Sequence, residues 1–91
     1  MSTIDIRHAH PLSADQARSA IDRVAQKLQD KFDVATRWEG QTLRFARAGV
    51  DGAIELLDNE VRVTAELGFL LSAMKGMVES EIVRVLGEQL R

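Results

Sequence analysis

The sequence predicts a two-layer α+β domain over residues 1–91, with a five-stranded antiparallel sheet and two helices on one face in the order β-α-β-β-β-β-α. Three observations predict it. Apolar residues alternate with a period of two near the N-terminus, then recur every three or four residues, and return to a period of two from Val34 to Leu67. Turn residues at Glu39-Gly40, Gly49-Val50 and Asp58-Asn59 divide that second alternating stretch into four short strands. A last helical period closes the chain.

The first strand covers residues 2–9, with Ile4 and Ile6 on one side and Asp5 and Arg7 on the other, and Pro11 ends it because proline cannot donate to a ladder. Ser13 and Gln16 have the spacing of a capping box, which opens a helix whose apolar stripe is Ala17, Ile21, Val24, Leu28 and Phe32. A turn at Asp58-Asn59 places Leu56 opposite Val61, Ile54 opposite Val63 and Glu55 opposite Arg62. A turn at Gly49-Val50, with glycine first as type II′ requires, places Leu43 opposite Leu56, Phe45 opposite Ile54 and Arg44 opposite Glu55. Glu55 then stands between Arg44 and Arg62, with charges on one face and apolar residues on the other. A turn at Glu39-Gly40 continues this and puts Val34, Thr36 and Trp38 on the face of Leu43 and Phe45. Pairing of the first strand with the fifth gives the order 1-5-4-3-2. After Leu67-Gly68 a single helix runs to the end, with Leu70, Met74, Val78, Ile82, Val85 and Leu90 on its buried face.

Composition narrows the function classes. The 91 residues contain no cysteine, so disulfides, thiolate nucleophiles and zinc-thiolate sites are excluded. Twelve basic and fourteen acidic residues give a formal net charge of -2, which lacks the electrostatic footprint of a nucleic-acid binder. The N-terminus has no apolar signal-peptide core, and no apolar run reaches the length of a membrane span. With the absence of cysteine, this leads to the expectation of a cytoplasmic protein.

The candidate sites divide by chemistry. His8 and His10 are two apart on a strand and so share a face, but two imidazoles make only half a metal site; a backbone role for His10 at the strand-to-helix turn is the plainer reading, and no metal or other cofactor is expected. The carboxylates lie on solvent faces, away from the apolar neighbours that would tune an acid-base pair. No Gly-rich phosphate loop, G-x-S-x-G elbow or HExxH motif is present, so no catalytic residue is assigned and no enzyme is expected. Arg37, Arg44, Arg47 and Arg62 fall on the open sheet face, where Glu55, Glu60 and Glu66 break them up into a mixed-charge surface.

Phe69, Leu70 and Leu71 are more informative, because three consecutive large apolar residues cannot all enter the core at one helix start. With Met74 and Met77 they form an adaptable apolar surface for a partner, an acyl chain or a second copy of the chain, unless the loop folds back to cap the sheet. Trp38, beside a turn, has the same two readings.

Ile4 and Ile6 leading to His10-Pro11-Leu12, Ala17, Trp38, Gly49-Val50-Asp51-Gly52, Leu67-Gly68 with its apolar triplet, and the closing amphipathic helix together resemble the polyhydroxyalkanoic acid system proteins. The resemblance spans nearly the whole chain and implies a bacterial cytosolic protein linked by family name to polyester storage granules. It brings no catalytic residue. The expected function is that of a non-enzymatic accessory protein whose surface at Phe69 to Leu71 and the last helix associates with a granule or a granule-associated protein. The alternative is a binding module with an acyl group in a groove between sheet and helices, for which so small a core leaves little spare volume. A homodimer through the triplet is the third possibility.

Overall fold

Apolar alternation at the N-terminus builds strand β1 (Ser2–Ala9), and the computed structural model describes residues 2–90. Helix α1 (Ala14–Phe32) follows. Ser13 caps it through the full capping box, its hydroxyl accepting from the Gln16 amide while the Gln16 side chain accepts from the Ser13 amide. The helix ends at Asp33, which takes the left-handed conformation at φ 56°. Ala17, Ala20, Ile21, Val24, Ala25 and Leu28 are buried, and Phe32 packs half-buried against them.

Strands β2 (Ala35–Glu39), β3 (Thr42–Arg47), β4 (Val50–Leu57) and β5 (Glu60–Leu67) complete an antiparallel sheet of order β1-β5-β4-β3-β2. The expected order is therefore observed, and both long helices cover one face. On that face Ile4, Leu43, Phe45, Ile54, Val61, Val63, Ala65 and Leu67 meet α1 and the last helix in one core. The opposite face carries ion pairs, including Arg62 with Asp5 at 2.8 Å, Arg44 with Glu39 at 2.8 Å and Arg7 with Glu60 at 2.9 Å.

The β4–β5 register is as expected, with Leu56 opposite Val61, Ile54 opposite Val63 and Glu55 opposite Arg62. The β3–β4 register differs by two residues. Leu43 faces Ile54, Arg44 faces Ala53 and Phe45 faces Gly52, so the turn is Ala48-Gly49 instead of Gly49-Val50. Gly49 supplies its positive φ of 86° from the second turn position. The aromatic ring fixes this choice, because a Cβ at Gly52 would stand 2.4 Å from Phe45 Cζ and 2.7 Å from the Thr64 carbonyl oxygen. Phe45 needs a glycine across from it, and only the shifted register provides one. A shift of two leaves every side chain on its own face, so the apolar pattern was satisfied either way. The β2–β3 turn likewise moves to Gly40-Gln41, with Trp38 directly opposite Leu43.

The shift dissolves the expected triad around Glu55. Thr42, and not Arg44, lies opposite Glu55, and Arg44 bonds Glu39 while Arg62 bonds Asp5 on the neighbouring strand.

The closing helix is broken in two, α2 (Phe69–Ser72) and α3 (Lys75–Gln89). Ser72 Oγ donates back to the Gly68 carbonyl at 3.0 Å, a bond that bends helices, and the Met74 amide reaches only three residues back, to Leu71. After this bend the buried face of α3 is Ile82, Val85 and Leu86, with Val78 partly buried, so Leu86 replaces the expected Leu70 and Met74 in the core stripe.

Candidate functional site

Gly68 is extended and starts α2 without a side-chain cap, directing the next residues across the end of the sheet. Its amide donates to the Gly49 carbonyl at 2.8 Å, which fastens α2 to the β3–β4 turn. Leu71 turns inward, with its Cδ1 3.3 Å from where a Cβ on Gly49 would lie. Phe69 and Leu70 turn outward and are each 85% exposed. The triplet therefore divides, with one residue closing the end of the sheet and two left in solvent. Met74 and Met77 follow at 41% and 54% exposed.

Beside Leu71 lies a partly open apolar pocket. This cavity of about 240 Å³ lies between the end of α1, the sheet and the α2–α3 bend, with walls that include Val34, Phe45, Val50, Ala65, Leu67 and Val78. Leu71, Met74 and Met77 line it too, so three of the five residues expected at this surface also belong to the cavity. Lys31 and Arg47 supply its charged groups. Arg47 donates to the Phe32 carbonyl at 2.8 Å and pairs with no carboxylate among the described residues. Lys31 lies 3.4 Å from Glu81, which also accepts from Arg84. Arg84 first, and Lys31 after it, hold the Glu81 carboxyl below its ordinary value.

Arg47 is misplaced by the sequence reading that put it on the open face. It alternates with Leu43 and Phe45 and so belongs to the helix-covered face, where it meets the end of α1. That alternation was present in the sequence as the signal; the cavity itself has no such signal, because it comes from the bend in the last helix.

Trp38 is not part of this region. It sits next to the Gly40-Gln41 turn, at the opposite end of β3 from Gly49. Its indole N–H donates to Asp22 Oδ1 at 2.7 Å, and the Arg18 guanidinium lies 3.9 Å above the ring centroid. These contacts staple the edge strand to α1.

His10 is buried; its Nδ1 accepts from the Leu12 amide at 3.1 Å and its own amide donates to the Asn59 carbonyl. It thus anchors the strand-to-helix turn. His8 faces inward with Ile4 and Ile6. His8 Nδ1 and His10 Nε2 are buried without a protein partner, and among the described residues no group of three possible ligands gathers around a metal position.

A family model described as "Putative polyhydroxyalkanoic acid system protein" matches residues 4–90. No curated protein and no solved structure matches the chain. Among the described residues no helix is long and apolar enough to cross a membrane.

Proposed function

Since the chain belongs to the polyhydroxyalkanoic acid system protein family, we propose that it is a non-enzymatic accessory protein which attaches to the polyester granule surface through Phe69 and Leu70. The observation that supports this is the exposure of those two side chains, 85% each, side by side on a bent segment with Met74 and Met77 beside them. Large apolar groups held out of the core lower the free energy when they are covered, by about 1.5–3 kcal/mol for each side chain buried. A polyester surface is apolar and extended, and offers cover without a shaped pocket. Methionine adapts to such irregular surfaces better than branched residues do. The family description names a system and no reaction, in keeping with a role in association. The compartment that fits this role is the bacterial cytoplasm.

The test is sedimentation with isolated polyester granules. Wild-type protein is expected in the granule pellet, and the Phe69→Asp, Leu70→Asp double variant is expected to remain in the supernatant, with at least about a hundredfold weaker partitioning from the lost burial. Equal pelleting of the two proteins would overturn the assignment. Analytical ultracentrifugation of both over a range of concentrations separates the remaining partner for this surface, a second copy of the chain: dimerisation of wild type that the double variant abolishes, with no granule binding by either, would replace granule attachment by self-association.

A further inference from the structure

We infer that the cavity behind Leu71 binds the alkyl tail of a medium-chain carboxylate, with the carboxylate group held at Lys31 and Arg47. The walls are apolar on every element that contributes to them: Val34 after α1, Phe45 on β3, Leu67 on β5 and Val78 on α3. An apolar space of about 150 Å³ holds a six-carbon ring, so 240 Å³ suits a tail of about eight to ten carbons. The two charged residues lining the cavity are both cations. Arg47 has no carboxylate partner among the described residues, and Lys31 shares its one carboxylate, Glu81, with Arg84. Positive charge is thus in excess where the apolar walls end. An anionic head with an apolar tail matches both features; a neutral or cationic head matches only one.

The position of the cavity also separates it from the exposed pair. Leu71 and Met77 line it, while Phe69 and Leu70 point away from it. Met74 and Met77 border both regions, but Phe69 and Leu70 serve surface attachment alone and Lys31 and Arg47 serve tail binding alone, so each can fail without the other.

The experiment titrates decanoate and nonyltrimethylammonium, each below its micelle-forming concentration, into the full chain by calorimetry and methyl NMR. Decanoate is expected to shift the methyl signals of Val34, Leu67 and Val78 and to bind about tenfold or more tightly than nonyltrimethylammonium, which has the same nine-carbon tail. In the Lys31→Gln, Arg47→Gln variant, whose changes are at the exposed ends of the site, the two affinities are expected to come within about threefold. In the Phe69→Asp, Leu70→Asp variant decanoate binding is expected to persist even though granule attachment is lost. Equal affinity for the anionic and cationic heads in wild type, methyl shifts confined to Leu70, or loss of decanoate binding in the Phe69, Leu70 variant would overturn the assignment.

Discussion

Gly52 shows how much a single residue decides in a sheet of this size. It is the floor on which the Phe45 ring rests, and its missing side chain sets the β3–β4 register. Gly52→Ala forces a methyl group into both the ring and the Thr64 carbonyl. The ring has room to yield but the backbone oxygen does not, so the expected loss is about 1–3 kcal/mol of stability, the usual cost of overpacking. Urea denaturation monitored by circular dichroism measures it, and an unchanged midpoint would mean that the register is set elsewhere. The sequence carried this information in a form that pattern reading does not weigh. Polar and apolar alternation is identical in registers two residues apart, so Phe45 opposite Ile54 looked as good as Phe45 opposite Gly52. Asp33 and Asn59, with φ values of 56° and 60°, are the non-glycine residues with positive φ among those described, and there the short polar side chain marks the turn openly.

At the scale of elements, the first strand and first helix were legible because each satisfies two independent signals: alternation with a closing proline, and an apolar stripe with a capping box. The last helix was not, since its hydrophobic period continues through the Ser72 bend and shows no Gly or Pro at the break. The bend comes from a side chain bonding its own backbone, which a count of apolar residues does not see. The elements are also tied together by exposed ion pairs with a defined pH response. Arg62 holds the Asp5 carboxyl below its ordinary value of 3.8, Arg44 and then Arg37 hold Glu39 below 4.5, and Arg84 and then Lys31 hold Glu81 below 4.5. Because the folded values are the lower ones, the unfolded chain binds protons first as pH falls. The contribution is fully present above about pH 4.5 and is lost as pH drops through the folded values. A Glu39→Gln, Glu81→Gln variant is therefore expected to differ least from wild type in acid and most at neutral pH. Urea midpoints measured from pH 7 down to pH 3 check this, and curves that run parallel throughout would rule it out.

For the whole molecule, the division of labour runs along the sheet. The end bearing Trp38 is stitched to α1 by a hydrogen bond and a cation over a ring. The other end carries the four residues of α2, none of them buried, beside the apolar pocket. Trp38 and the Phe69–Leu71 triplet shared the same two readings in the sequence, and the three-dimensional contacts place them at opposite ends of the sheet, Trp38 against α1 and Phe69 and Leu70 in solvent. Such an uneven distribution of packing predicts uneven opening. The α2 segment is expected to open while the sheet stays intact, because few buried contacts oppose it.

The amide of Gly68, bonded to the Gly49 carbonyl across that boundary, gives this opening a clock. Each excursion of α2 that breaks the bond exposes one proton to solvent, whereas the Val63 amide in the central ladder is exposed only when strands separate. Hydrogen exchange at Gly68 is therefore expected to run well ahead of that at Val63, and matching rates would show the two ends unfolding together. Compared with the rate at which an alkyl chain enters, the Gly68 rate tells whether the cavity waits open or must first be uncovered.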